Sequence, residues 1–152
     1  MIRPGRVEDV EIESQAVGRR LGVRIITPPD YTPAAAPYPV LYFLHPWGLS
    51  PTYITDKLHI HEHLWAGISD GSLPPMVIAL PVGEKSFFIN AVDPPGHDWS
   101  PVLEAHEDFF RDALQQYGRF GDYLLDEVIP TVEARYHVRT DRDGRAIGGI
   151  SM

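Results

Sequence analysis

Apolar and polar residues alternate early in the chain. Val10 and Ile12 are set among acidic residues between Val7 and Ser14, and Leu21, Val23 and Ile25 recur at every second position between Arg20 and Thr27. A period of two predicts two half-buried strands. Pro28, Pro29, Pro33, Pro37 and Pro39 then break any ladder and predict an extended surface loop. Val40–Leu44 is apolar without alternation, which suits a strand buried on both faces of a parallel sheet. Ile54, Leu58, Leu64, Trp65 and Ile68 give a helical face over Thr52–Ile68, closed by Gly71 and Pro74-Pro75. Met76–Leu80 predicts a second buried strand. Residues 82–100 are irregular, 101–117 are expected to be helical, and a firmer helix runs over Asp122–Tyr136. Within it Pro130 is expected to kink the helix or open a new turn. Arg145–Gly149 closes the series as a third buried-type strand.

Two strands followed by strand–helix–strand–helix–strand predict an α/β protein, its sheet mostly parallel with an antiparallel N-terminal edge. The 152 residues suit one domain, and no repeat or linker divides them. A net charge of −8 and the lack of a basic run argue against nucleic acid as a partner. With no cysteine, thiol nucleophiles and cysteine-ligated metals are excluded. No apolar run approaches a membrane span, and Met1–Val10 does not resemble a signal peptide. The expected setting is cytoplasmic, with no membrane partner.

Two serines compete for a catalytic role. Gly67-Ile68-Ser69-Asp70-Gly71 matches the whole Gly-x-Ser-x-Gly pentapeptide. A nucleophile elbow, however, needs a strand before the serine and a helix after it. Ser69 follows a helical pattern and precedes Pro74-Pro75, so it reads as a helix end. Ser151, in Gly148-Gly149-Ile150-Ser151-Met152, follows a strand directly. Local sequence leaves it balanced between nucleophile and ordinary turn serine. The loop after the third strand shifts that balance. Ester attack creates an oxyanion that needs N–H donors already aimed at it, one from the residue after the nucleophile and one from this loop. Here the loop is His45-Pro46-Trp47-Gly48. Pro46 has no N–H, so Trp47 is the expected donor with Gly48 second, and Met152 is the donor beside the serine. His45 and Gly48 support the loop.

Four segments, in order, carry a family resemblance: Pro39–His45, Pro74–Ile78, Tyr123–Glu133 and Arg145–Met152. From about Val17 to Met152 the chain resembles the esterase D group of α/β-hydrolases. That group includes feruloyl and other carboxylesterases, S-formylglutathione hydrolase, enterochelin esterase and mycolyltransferases. The resemblance implies the N-terminal part of an α/β-hydrolase sheet with helices on both faces. It also implies a serine carboxylesterase working through an acyl-enzyme on a small ester, with Ser151 as nucleophile, Trp47 and Met152 as oxyanion donors, and no cofactor or metal. Pro46 departs from the glycine usual after the strand-end histidine. The acid and histidine of the triad follow the serine in this fold, hence beyond Met152. The 152 residues are therefore expected to be an incomplete, near-inactive half-domain. Leu41, Phe43, Ile78 and Ile147 would be partly uncovered, with an open strand edge available to a partner chain or to self-association.

Other readings remain in play. His59-Ile60-His61-Glu62-His63 invites a metal, and on a helix His59 and His63 would share a face, which admits a metal-dependent hydrolase. A solvated helix face is the simpler expectation. A non-catalytic hydrolase-like binding or scaffold module is the alternative from another class. Phe87, Phe88, Trp99 and Tyr117 are candidates for an aromatic pocket or for core anchors. His97 falls in the irregular loop, and Glu127 and Glu133 are expected to face solvent.

Overall fold

A computed structural model describes residues 2–91 and 118–151. The expected helix over 101–117, and His97, Trp99, Tyr117 and Met152, lie outside the described residues.

Five strands form one sheet: β1 (Arg6–Ser14), β2 (Arg19–Thr27), β3 (Val40–Leu44), β4 (Val77–Pro81) and β7 (Arg145–Gly149). Their spatial order is β1-β2-β4-β3-β7. β1 and β2 form an antiparallel hairpin, β2 meets β4 antiparallel, and β3 runs parallel to both β4 and β7. Two short strands, β5 (Asn90–Ala91) and β6 (Gly118–Arg119), pair separately.

Side-chain alternation explains why β3 and β4 read as unbroken apolar runs. Val40 and Tyr42, with Val77 and Ala79, join a cluster on one face, while Leu41 and Phe43, with Ile78 and Leu80, join a second cluster on the other. Successive side chains of a strand point to opposite faces, so a strand covered on both sides needs apolar residues throughout. The first face is covered by a helical segment at 120–135, through Phe120, Tyr123, Leu124, Val128 and Val132. The second is covered by α1 (Pro51–Asp56) and α2 (Ile60–Asp70), through Ile54, Leu64 and Trp65. Ile78 is 3% exposed, contrary to the expectation that it would be left uncovered, because α1 and α2 lie over it. Leu41 and Phe43 are half-buried and Ile147 is 67% exposed.

Two helices differ from expectation. The single helix over Thr52–Ile68 is two, broken at His59, whose φ of 51° is left-handed and marks the start of α2. The second helical segment comprises α3 (Phe120–Asp122), a π-helical stretch (Tyr123–Val128) and α4 (Ile129–Arg135). Pro130 lies in the first turn of α4, directly after the π-helical stretch.

Glu127 and Glu133 do not face solvent freely. Ser14 donates its hydroxyl to Glu127 at 2.5 Å, and the Gln15 and Ala16 N–H groups donate to the same carboxylate at 2.8 and 3.0 Å. This carboxylate thus closes the β1–β2 turn. Glu133, 14% exposed, accepts two bonds from the Arg145 guanidinium and ties α4 to β7.

Candidate active site

The carboxyl ends of β3, β4 and β7 lie on one edge of the sheet, where open α/β sheets concentrate function. Leu44 pairs with Gly149, and the Ile150 N–H donates to the Leu44 carbonyl at 3.2 Å. Residues 45–48 and Ser151 therefore leave the sheet side by side. This closeness restricts Gly149: a Cβ there would lie 3.0 Å from the Leu44 oxygen. Ser151 itself is exposed, with φ at 68°. A non-glycine residue in that region stores about 1–3 kcal/mol of strain, which persists only when its surroundings impose it. A strand ending in a glycine pressed on its neighbour, followed by a strained and exposed serine, is the strand half of the geometry an elbow requires.

Ser69 has none of this. It lies inside α2, where its hydroxyl donates to the Trp65 carbonyl one turn back at 2.8 Å. Gly71 follows as the left-handed cap, φ 80°.

The loop after β3 is fastened to the loop after β4. His45 is 1% exposed, and the Gly83 N–H points at its Nε2 at 2.9 Å. A backbone N–H can only donate, so Nε2 accepts and the proton of the neutral ring is on Nδ1. Nδ1–H then donates to the Pro46 carbonyl at 2.8 Å. Burial of the ring pushes its pKa down from 6.5, and the bond to Pro46 opposes this in part. The Trp47 indole N–H donates to the Lys85 carbonyl at 3.2 Å, and the Lys85 ammonium lies 5.3 Å from the centre of that ring. Gly48 turns the chain with φ at 70°.

Sequence reasoning named Phe87 and Phe88 in the other wall of this arrangement but missed Gly83 and Ser86. Ser86 donates to the Gly83 carbonyl at 2.5 Å and accepts from the Phe88 N–H at 3.1 Å. Glu84, Phe87 and Phe88 all have φ near 50–55°. Phe88 is buried edge-on against His45, while Phe87 is 51% exposed. A Cβ on Gly83 would run into the Phe88 ring. Phe88 is thus the core anchor that its sequence allowed, while Gly83 and Ser86 lay in a stretch that reads simply as irregular.

The histidine cluster does not converge. His59 precedes α2, 3.5 Å from Glu62, and the His61 ring packs edge-on against Trp65. Among the described residues no group of three His, Asp or Glu is placed to hold a metal ion. Among the same residues no helix is long and apolar enough to cross a membrane.

Over residues 14–152 the chain matches the family described as "Putative esterase". It belongs to this esterase family. Esterase Rv1288 of Mycobacterium tuberculosis is 25% identical over 144 residues, 92% of this chain and 25% of that protein. The endo-1,4-beta-xylanase/feruloyl esterase of Xylanibacter ruminicola is 24% identical over 160 residues, 99% of this chain and 19% of its own length. Among solved structures, a ferulic acid esterase of Anaeromyces mucronatus superposes with a TM-score of 0.71 at 20% identity, over 97% of this chain and 49% of that one. An S-formylglutathione hydrolase from Agrobacterium tumefaciens gives 0.66 at 13% identity, over 95% and 48%. These likenesses show the α/β-hydrolase fold. The chain spans a quarter or less of these curated relatives and about half of the solved chains.

Proposed function

We propose that this chain contributes the nucleophile and the oxyanion loop of a serine carboxylic-ester hydrolase. The observation that carries this reading is Ser151: exposed, strained at φ 68°, and held beside the loop after β3 by the Ile150–Leu44 hydrogen bond. The Ser151 oxygen attacks the ester carbonyl while its proton passes to a general base. The carbonyl oxygen becomes an oxyanion facing the N–H groups of Trp47 and Met152, with His45 and Gly48 supporting that loop. Collapse breaks the carbon–oxygen bond to the alcohol, which leaves with a proton, and water then cleaves the acyl-serine to release the acid.

His45 is not the general base, since both its ring nitrogens are already bonded to backbone groups. The feruloyl esterases among this chain's relatives make hydroxycinnamoyl esters a sensible second substrate class beside simple acyl esters. Ser151→Ala tests the reading in the complete gene product. Aryl acetate hydrolysis should fall by about 10³-fold or more, as for loss of other serine nucleophiles, with the melting curve unchanged. Equal rates in the two proteins would remove Ser151 from the mechanism.

A further inference from the structure

The geometry points to His45 as a positioning residue: a neutral imidazole that clamps the loop after β3 to the loop after β4 and so fixes where the Trp47 N–H points. The role rests on the esterase reading above. The clamp itself rests on three observations. The ring is buried at the start of residues 45–48, and its two nitrogens make two different backbone bonds, one within its own loop and one across to Gly83. The loop it grips is stiff and strained. Ser86 bonds both Gly83 and Phe88, three non-glycine residues hold positive φ, and Gly83 has no room for a side chain beneath Phe88. A second tie runs parallel, from the Trp47 indole to the Lys85 carbonyl. The charged side chains on the gripped loop are engaged elsewhere: Glu84 pairs with Arg19, and the Lys85 ammonium lies over Trp47. β3 carries no charged residue.

The clamp compensates for Pro46. A proline here provides no N–H, so the loop offers fewer ways to meet an oxyanion and the remaining donor must be well aimed. Oxyanion donors act in the transition state rather than on the bound ester, so misaiming one lowers kcat and leaves KM nearly alone. A protonated His45 carries N–H at both ring positions and cannot accept from Gly83.

Three measurements on the complete gene product test this. Ring-nitrogen NMR of the wild type should show the Nδ1–H tautomer, staying neutral below the usual histidine pKa of 6.5. Hydrogen exchange at the Gly83 amide should speed up about 5-fold in His45→Phe, the size expected for a lost hydrogen bond of about 1 kcal/mol. It should stay near wild type in His45→Gln, whose amide oxygen reaches the Nε2 position and cannot be protonated. For an aryl acetate, His45→Phe should lower kcat by about 10–100-fold, less than outright removal of an oxyanion donor, with KM within about 3-fold. An Nε2–H tautomer, unchanged Gly83 exchange in His45→Phe, or a loss carried by KM would each overturn the proposal. Should His45→Phe not fold, the wild-type tautomer and the His45→Gln exchange decide. Wild-type protein without turnover would sink the esterase reading, while tautomer and exchange would still settle the clamp.

Discussion

Strands β4 and β7 flank β3 on its two sides, both parallel to it. Their sequences are of one kind, five residues of mainly apolar or small side chains. All five residues of β4 are buried, whereas four of the five in β7 are exposed. β4 has strands on both sides and clusters on both faces; among the described residues β7 has β3 alone as a strand neighbour. What holds β7 is its backbone ladder to β3, the close contact at Gly149 and the Glu133–Arg145 pair. The comparison teaches that an apolar run states what a strand is suited to bury. Whether it is buried depends on which neighbours are in place. Ser151 follows the sheet strand whose side chains are least covered, and its position is set through backbone contacts.

The sharpest test of this contrast is truncation of one side chain on each strand. Leu80 is fully buried, so Leu80→Ala should cost about 2–5 kcal/mol, the range for large core deletions. Ile147 is 67% exposed, so in the 152-residue chain Ile147→Ala should change stability by no more than about 0.5 kcal/mol. Urea unfolding of both variants gives the comparison directly. A cost at Ile147 close to that at Leu80 would mean that the outer face of β7 is covered in solution.

A smaller effect sharpens the claim about backbone. Gly149→Ala places a methyl 3.0 Å from the Leu44 oxygen, and overpacking of this kind costs about 1–3 kcal/mol. Gly22→Ala in β2 is the control, where the nearest atom is a Val82 methyl at 3.7 Å. The expectation is a lower urea midpoint for Gly149→Ala alone. If the two variants melt together, β7 is looser than its ladder implies, and Ser151 has less holding it.

Most of the fold was legible because it is written in periodicity. The alternation at Leu21, Val23 and Ile25 and the unbroken run at Val40–Leu44 depend on strand geometry and survive any packing detail. The separation of Ser151 from Ser69 was legible for the same reason, since one follows a strand and the other lies within a helix. The features that escaped involve pairs of distant residues. Glu127 reaches Ser14 across 113 positions, and His45 meets Gly83 across 38. Neither carries a local pattern, and a carboxylate on a helix looks solvated until its partner is known. The break at His59 also left no trace, because the apolar spacing continues on both sides of it.

The smallest effect is a slope, and it concerns the loop that joins β4 to the site. Burial holds the His45 ring neutral with a pKa below 6.5, while the unfolded chain lets the same ring bind a proton near 6.5. As pH falls through 6.5 the unfolded state therefore takes up a proton that the folded state refuses. His45 then contributes full stability above 6.5 and loses it as pH falls toward the folded pKa, with a slope of at most about 1.4 kcal/mol per pH unit for one proton. The carboxylates held below 3.8 at Asp9, Asp70 and Asp141 act in the same direction, but only in more acid solution, so the windows separate. His45→Gln cannot titrate, so the difference in unfolding free energy between wild type and variant isolates this one ring. Urea titrations at half-unit steps from pH 7.5 to 5 should show that difference shrinking as the acid lowers wild-type stability alone. A flat difference would place the His45 proton equilibrium outside this window, or show the ring exposed. A difference that grew toward acid would mean the folded protein prefers the imidazolium, which the Gly83 N–H aimed at Nε2 does not allow.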